Sequence, residues 1–287
     1  MTSHRHSLAT AALAAVMLAA ALCAGIVGAA AFDESKYPDW SGLWTRPRGL
    51  ATQWDPTKPP GAAQQPPLTP EYQAIFEASL ADQADGGQGT DTHITCVSNG
   101  MPRIMTVTFP IEFVILPAMT YIHFENAFPR RIHTDGSGFP KDQEPNLMGY
   151  SVGKWIDEDG DGRFDTLEVE TRDFKGPRTY EPSGIPLHED NETVIKERFF
   201  LDKADKDLLH NEITVIDHAL TRPWTVMKNM RRNRNLQWLE EDCGENNQHV
   251  VIGKDNYYMS ADGYLMPARK DQSPPDLRYF KRKADAK

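Results

Sequence analysis

The feature that most constrains the fold is a long succession of strand patterns that begins after Ile104. Apolar and polar residues alternate with period two in segment after segment, as in half-buried β-strands. There are about nine such segments. Seven of them span residues 109–116, 120–125, 129–134, 192–201, 209–217, 224–231 and 237–241, and the other two flank residues 157–168. Short turns such as Asp135-Gly136 separate several of them, so neighbouring strands are expected to pair antiparallel.

A meander of this many strands has a strong tendency to curl. An open sheet leaves two edges with unpaired backbone groups, and closure removes both edges. A barrel of about eight strands has room for side chains or for one small ligand. The sequence therefore predicts an all-β fold with one short helix, in which an antiparallel meander closes into a lipocalin-like barrel or a strongly curved sheet.

The remaining segments are assigned from composition and local patterns. We predict a signal peptide at 1–31, a proline-rich, aromatic extension at 32–92, the barrel domain at 93–267 and a charged tail at 268–287. In the extension, tryptophans such as Trp40 and Trp44 are expected to dock while the chain runs over the surface. Thr69, a capping residue, and Pro70 precede apolar residues at helical spacing, which predicts a short helix. The apolar residues are Tyr72, Ile75, Phe76 and Leu80.

The first residues predict the location of the protein. A weakly basic start precedes a run of small and apolar residues at 13–27, and Ala29-Ala30-Ala31 offers a cleavage site before Phe32. We expect an exported protein, periplasmic or secreted, with no stable membrane insertion after cleavage. The alternative is a retained anchor, since residues 11–31 approach the length of a membrane span.

The charge balance excludes one class of partner. The chain has a formal net charge of −10 at pH 7, whereas binding to nucleic acid phosphates requires a basic surface. A local basic cluster of Lys228, Arg231, Arg232 and Arg234 is interpreted as a solvated strand end. No nucleic-acid partner is expected.

Residues 157–168 have the pattern of a twelve-residue calcium loop. Oxygen-bearing side chains occupy loop positions 1, 3, 5, 9 and 12, and Gly162 lies at the sharp turn. The predicted ligands are the carboxylates of Asp157, Asp159, Asp161 and Glu168, the carbonyl of Arg163, and Asp165 through a water molecule. Strand patterns flank the loop, so we expect a structural calcium ion in a β-hairpin. The alternative is an acidic, glycine-rich turn without an ion.

The cysteines predict a disulfide bond. Cys96 and Cys243 are the two that follow the predicted signal peptide. In an oxidising compartment a long-range bridge between them is favoured over a metal site or a nucleophile. Closing so long a loop would stabilise the fold by roughly 4 kcal/mol in the chain-entropy view.

Several motifs together carry a resemblance to a known family. They are Ser41-Gly42-Leu43-Trp44, Gly100-Met101-Pro102-Arg103, Arg130 to Gly136, Thr221-Arg222-Pro223-Trp224-Thr225 and Cys243-x-Glu-Asn-Asn. With these motifs the chain resembles a large family of exported bacterial β-rich proteins that is functionally uncharacterised. The common pattern has a tight Glu-Gly-Asp turn where this chain has its calcium-type loop. The resemblance as a whole implies export and a β-rich fold, and it implies no activity because the family is functionally uncharacterised.

A candidate site comes from polar residues that share a strand face. Arg131, His133 and Asp135 lie on one face by the two-residue period, and His123 and Glu125 share a face of the neighbouring strand. If these faces point inward, His133 is a candidate general base, Asp135 or Glu125 orients it, and Arg131 holds a carboxylate or enolate oxygen. His188 is a reserve acid. The alternative is ordinary structural pairing. Further candidates for the lining are Glu189, Glu197, Arg198 and Arg222.

Two other catalytic patterns are weaker. Gly149-Tyr150-Ser151-Val152-Gly153 matches a nucleophile elbow, but a hairpin follows where a helix is required. The histidines lack the helical spacing of a catalytic zinc site, and such a site would need three of them to converge in space. They are His93, His123, His133, His188, His210, His218 and His249.

Two classes of function remain open from the sequence. The first is a binding protein that holds a small apolar or aromatic organic ligand in a central cavity. Its expected lining is Phe113, Tyr121, Phe124, Tyr150 and Trp155. The second is a periplasmic lyase, isomerase or hydrolase that uses the histidine–carboxylate pair and the arginine in the same cavity.

Overall fold

The structure is a computed structural model in which strands predominate, as the sequence predicts. It describes residues 32–46, 65–87, 89–90, 96–106, 109–176, 178–180, 183–239, 248–253 and 255–275. The predicted signal segment, Cys243 and the end of the charged tail lie outside the described residues. Among the described helices, none is long and apolar enough to cross a membrane.

Nine strands form a closed barrel in the order β1-β11-β10-β9-β6-β5-β4-β3-β2. They are β1 (Leu43–Thr45), β2 (Ile111–Ile115), β3 (Met119–Phe124), β4 (Ala127–His133), β5 (Tyr150–Ile156), β6 (Thr166–Arg172), β9 (Val194–Leu201), β10 (Leu208–Ile216) and β11 (Trp224–Asn233). Between β6 and β9, the strands β7 (Arg178–Thr179) and β8 (Pro186–Leu187) form a separate pair. The predicted all-β barrel is confirmed.

The barrel departs from a simple meander at one pair of strands. β4 and β5 pair parallel, with Ile132 opposite Ser151, and residues 134–149 make the connection between them. A side chain at Gly153 would place its Cβ 2.6 Å from Cγ2 of Ile132. The absence of a side chain at Gly153 therefore permits the close approach of these two strands.

The N-terminal segment closes the barrel. β1 pairs antiparallel with both β2 and β11, and Trp40 and Trp44 are 1% and 0% exposed. The two tryptophans are docked, as expected, but residues 43–45 form a strand of the barrel and do not run over its surface. A three-residue strand has too little periodicity to be recognised from sequence, whereas its place between two long strands stabilises it.

The single α-helix of the described residues begins where predicted. Helix α1 (Pro70–Ala84) has Thr69 as its N-cap, and Oγ1 of Thr69 accepts a hydrogen bond from the backbone N–H of Tyr72 at 3.4 Å. Phe76 is buried, but Ile75 and Leu80 are exposed. The predicted apolar face is therefore only partly buried. Short 3₁₀ turns are also present at Glu34–Lys36 and Arg103–Met105.

The C-terminal part of the predicted barrel domain lies outside the barrel. β12 (His249–Ile252), β13 (Asp255–Met259) and β14 (Leu265–Pro267) form a separate three-stranded antiparallel sheet. Residues 237–239, which open a predicted strand, have no strand structure, and 240–241 lie outside the described residues.

The basic cluster near the end of β11 is also not wholly solvated. Lys228 and Arg232 are 3% and 7% exposed. Nη2 of Arg232 donates hydrogen bonds to the backbone oxygens of Asp39 and Lys206 at 2.6 and 3.2 Å, and its guanidinium stacks on the Trp44 ring with a distance of 4.6 Å. Arg232 thus joins β11 to the N-terminal segment.

Candidate functional site

Alternation along five barrel strands turns a set of polar side chains into the lumen. Each of these residues is at most 2% exposed and lies on the core face of its strand. They are Arg130, Ser151, Thr171, Glu197 and Asn211. We refer to these five residues as the lumen cluster.

The Arg130 guanidinium is the centre of the lumen cluster. Its Nη2 donates hydrogen bonds to Oε2 of Glu197 at 2.5 Å and to Oγ1 of Thr171 at 2.8 Å, and its Nε donates to Oγ of Ser151 at 3.2 Å. Nδ2 of Asn211 donates to the other carboxylate oxygen, Oε1 of Glu197, at 3.0 Å. The cluster therefore links β4, β5 and β6 to β9 and β10.

Three polar atoms of the lumen residues are unpaired. Nη1 of Arg130, Oδ1 of Asn211 and Oγ1 of Thr120 have no hydrogen-bond partner in the described part of the chain. The three residues are 1%, 0% and 0% exposed. A buried donor or acceptor without a partner costs about 1–3 kcal/mol. These atoms offer a bound molecule a guanidinium donor on Arg130, an amide acceptor on Asn211 and, on Thr120, a hydroxyl that can donate or accept. The indole N–H groups of Trp40 and Trp155 are also unpaired in the described part of the chain.

A second basic side chain, that of Lys228, lies on the buried face of β11. Lys228 lies opposite Asn211 in the register of β10 and β11. Its Nζ lies 5.8 Å from the centroid of the Tyr180 ring, a cation–π distance. The unpaired Nη1 of Arg130 favours a ligand that carries negative charge or oxygen acceptors.

Aromatic side chains occupy another part of the core. The Trp40 ring lies 4.9 Å from the rings of Phe113 and Trp155 and 6.3 Å from that of Phe199, measured between centroids. All four residues are buried. The barrel interior therefore combines an aromatic part with a charged, hydrogen-bonding part, as small-molecule sites do.

The prediction that Arg131, His133 and Asp135 face the barrel interior is wrong. Arg130 and Ile132 point into the barrel, so Arg131 and His133 lie on the outer face, and Asp135 is exposed. Here Arg131 lies over the ring of Tyr121 at 5.9 Å. Period-two alternation defines two faces but does not say which one is buried, so the assignment of His133 as a base inside a cavity loses its geometric basis.

His133 has an outer-face environment of its own. Its ring stacks on Tyr150 with centroids 4.5 Å apart and an angle of 12° between planes. Burial lowers the pKa of His133 below its ordinary value of 6.5; Asp135 acts in the opposite direction and Arg131 in the same direction. Hydrogen bonds from Ser137 lower the pKa of the Asp135 carboxyl, which is consistent with a local turn contact.

The predicted lining is correct only in part. Phe113, Phe124 and Trp155 are buried in the core, whereas Tyr121 and Tyr150 are half-buried on the outer face.

The other predicted polar site residues also lie outside the lumen. His123 is half-buried on the outer face, and Oε1 of Glu125 accepts a hydrogen bond from the backbone N–H of Leu239 at 2.9 Å. Glu125 is therefore bonded to a loop and is not placed to orient His133. Arg222 and Glu189 are exposed, and Arg198 forms ion pairs on the outer face with Glu158 and Glu168.

The structure places His188 in a different cluster. It lies beside Asp190 and His218, and one potential ligand atom from each of the three lies within 4.8 Å of the others. The hydrogen bond that Nδ1 of His218 donates to the Asp190 carboxylate raises the pKa of the exposed His218 above its ordinary value. This His–Asp–His group was not predicted, because its members come from two separate loops.

The calcium-type loop forms the turn of the β5–β6 hairpin, as predicted. Ile156 pairs with Thr166, so loop residues 157–165 form the turn and residues 166–168 already belong to β6. Carboxylate oxygens of Asp157, Asp159 and Asp165 lie within 4.8 Å of one another. The loop backbone is organised around Asp157, whose Oδ1 accepts a hydrogen bond from Gly160 at 2.8 Å.

Two further predicted ligands lie outside this group of carboxylates. Oδ1 of Asp161 accepts a hydrogen bond from the backbone N–H of Arg163 at 2.8 Å. Glu168 lies in β6, where its Oε1 is 3.5 Å from Nε of Arg198. Glu168 points outward, opposite to Leu167 and Val169, and it is paired with Arg198 of the neighbouring strand β9.

The outer face of β5, β6, β9 and β10 forms a concave depression of about 450 Å³. Lys154, Glu168, Lys196 and Arg198 contribute to its lining. Several of these charges pair with neighbours, for example Nζ of Lys196 with Oε2 of Glu170 at 3.5 Å. The depression is therefore a weaker candidate for ligand binding than the lumen cluster.

The sequence indicated Glu197 as a possible lining residue and Ser151 only as a weak nucleophile candidate, and it did not indicate Arg130, which joins them. Arg130 lies on the same face of β4 as Ile132. Because Ile132 is apolar, it could have indicated from the sequence which face of this strand is buried. Ser151 lies within a strand and hydrogen-bonds Arg130 and Thr171, so the nucleophile-elbow geometry is absent at this position.

Comparison of the chain with known protein families, with characterised proteins and with solved structures finds no match. The functional assignment therefore depends on the geometry of the lumen and of the surface clusters.

Proposed function

We propose that the chain is an exported, calcium-stabilised β-barrel protein that binds a small organic molecule in the barrel lumen. The observation that carries the proposal is the set of unpaired polar atoms on Arg130, Thr120 and Asn211, all in fully buried residues. A buried ion pair is often no more stabilising than apolar residues of the same volume. A ligand that satisfies these atoms gives such an arrangement a function.

The ligand chemistry follows from the two parts of the lumen. Nη1 of Arg130 is a charged donor, which suits a carboxylate or another oxygen acceptor. The rings of Trp40, Phe113 and Phe199 suit an apolar or aromatic body. We therefore propose an aromatic or apolar compound with one acidic or carbonyl group as the ligand class.

Export and the disulfide complete the proposal. Export is supported by the sequence of residues 1–31 and by the family resemblance, and the disulfide by Cys96 and Cys243. Both the leader segment and Cys243 lie outside the described residues, so the two features stay predictions. The enzymatic alternative needs His133 and Arg131 beside a bound substrate, and their outer-face positions favour binding over catalysis in the lumen.

The ligand proposal is tested by a thermal-shift screen of aromatic and aliphatic carboxylic acids and their neutral esters. A ligand at about 100 times its dissociation constant stabilises the folded state by about 2.7 kcal/mol. In Thr120→Val the unpaired hydroxyl is removed, so the free protein should be unchanged or slightly more stable while the ligand-induced shift falls.

Thr214→Val is the matched control, because the Thr214 hydroxyl pairs with Thr225 on the outer face at 2.8 Å. It should leave the ligand-induced shift unchanged. If no compound raises the melting temperature, or if Thr120→Val and Thr214→Val respond equally, the lumen is not the binding site.

The calcium part of the proposal is supported by the converging oxygens of Asp157, Asp159 and Asp165. Calcium takes six to eight oxygen ligands at 2.3–2.6 Å. The three carboxylates fit such an ion, and backbone carbonyls and water would supply the remaining ligands. Glu168 would have to leave Arg198 to bind the ion. The ion would stabilise the turn that joins β5 to β6.

Removing calcium should lower the melting temperature of the wild-type protein. The ion binds only the folded loop, so a chelator removes its contribution to stability. In Asp157→Ala with Asp165→Ala, chelator should have no effect. Asp142→Ala, an exposed acidic residue outside the loop, is the control and should respond like wild type. Calorimetry that detects no calcium binding at millimolar concentration would contradict the proposal.

A further inference from the structure

We propose that His188, Asp190 and His218 form a binding site for a divalent transition-metal ion, of which zinc is the probe, separate from the lumen cluster. His188 and Asp190 lie in the loop after β8, and His218 lies in the turn between β10 and β11. One ligand atom from each residue lies within 4.8 Å of the other two. Two imidazoles and one carboxylate are a common donor set for zinc and for other transition metals.

The distances place one carboxylate oxygen between the two rings. Oδ2 of Asp190 lies 2.5 Å from Nδ1 of His218 and 3.1 Å from Nδ1 of His188. With metal–ligand bonds of about 2.0–2.1 Å, neighbouring ligand atoms of a tetrahedral site lie roughly 3.3 Å apart. The pair formed by Asp190 and His188 has nearly this separation already. The side chain of His218 is 63% exposed, so its ring can move outward by the remaining distance.

Nδ1 of His188 faces two groups of Asp190. The backbone N–H of Asp190 lies 3.1 Å from this nitrogen, and the carboxylate oxygen Oδ2 also lies 3.1 Å from it. Metals bind the neutral form of an imidazole. A cation between Nδ1 and Oδ2 would interact favourably with both atoms. Metal binding at Nδ1 would replace the backbone hydrogen bond.

Two buried charged residues hold the ligand-bearing loop in place. Nη2 of Arg178 donates hydrogen bonds to the His188 carbonyl at 2.9 Å and to Oγ1 of Thr193 at 2.6 Å. Oδ1 of Asp217 accepts from the backbone N–H groups of His188 at 2.9 Å and of Ala219 at 2.7 Å. Asp217 therefore joins the loop that carries His188 to the turn that carries His218. Such supporting hydrogen bonds orient the ligands of metal sites.

The donor set distinguishes this site from the calcium-type loop. Imidazole nitrogens suit zinc, copper, iron and nickel, whereas calcium takes oxygen ligands. Three protein ligands leave a coordination position for water or for a further group.

The test is isothermal titration with zinc chloride of protein purified without a histidine tag, in excess calcium so that the acidic loop is occupied. Wild type should bind one zinc ion at micromolar concentration. His218→Ala and Asp190→Asn should each weaken binding by at least about tenfold. Cobalt substitution should give a visible absorption spectrum that both variants lose.

His210→Gln is the matched control, because His210 also lies beside a carboxylate, with Nε2 3.2 Å from Oδ2 of Asp202. It should bind zinc like wild type. Zinc binding that is absent in wild type, or equal in wild type, His218→Ala and Asp190→Asn, would overturn the proposal. A thermal-shift response to carboxylic acids is a separate measurement, so the lumen proposal and this site fail independently.

Discussion

Replacing Glu197 with leucine should lower the free energy of unfolding by about 3–5 kcal/mol, because removing one partner of a buried ion pair leaves the other charge without compensation. The remaining charge is that of Arg130, which is 1% exposed. In the double variant Arg130→Met with Glu197→Leu, most of this loss should be recovered, since apolar residues of similar volume often replace a buried pair without cost. Urea denaturation of wild type, both single variants and the double variant gives the coupling energy.

The control is Glu170→Leu on the outer face. Glu170 pairs with Arg172 and Lys196, and these side chains are partly exposed. Exposed pairs contribute about 0–1 kcal/mol, so the loss should be small. Equal losses for Glu197→Leu and Glu170→Leu would mean that the lumen cluster is hydrated, contrary to its burial.

Trp40→Ala should also cost about 3–5 kcal/mol, the range for truncation of a buried large aromatic side chain. Trp40 is 1% exposed and contacts the rings of Phe113, Trp155 and Phe199. It precedes β1, so its loss should also loosen the strand that closes the barrel between β2 and β11. The measurement is chemical denaturation, with hydrogen exchange of the β1 amides as a second readout.

Phe128→Ala is the control for Trp40→Ala, because Phe128 is 76% exposed. Surface substitutions usually change stability by no more than about 0.5 kcal/mol. A loss for Trp40→Ala as small as that for Phe128→Ala would show that the N-terminal segment does not contribute to the barrel core.

Local features of the fold were predictable because their causes are local. Thr69 and Pro70 mark the start of α1 through hydrogen-bonding and backbone preferences of single residues. The glycine and aspartate spacing of residues 157–168 predicts a β-hairpin turn, since only a few backbone conformations accommodate it. The long strands β9, β10 and β11 have enough residues for alternation to be recognised.

The candidate site was predictable only in part. Glu197 was recognised as a possible lining residue, but Arg130 was not, because the pattern in β4 fits either of two faces. The face that is buried is decided by two contacts. Ile132 packs in the core, and Arg130 pairs with the Glu197 carboxylate of β9. The His188, Asp190 and His218 cluster depends on two loops whose proximity has no counterpart in sequence spacing.

The sequence by itself determined the strand-rich class, the capped helix and the acidic hairpin, since each depends on side chains within a few residues of one another. Tertiary structure decided how the barrel closes, which face of β4 is buried, and which charged residues meet. β1 lies between β2 and β11, and Arg130 reaches Glu197 across the lumen. These are contacts between segments far apart in the chain, and their free energy depends on the burial and pairing of both partners at once.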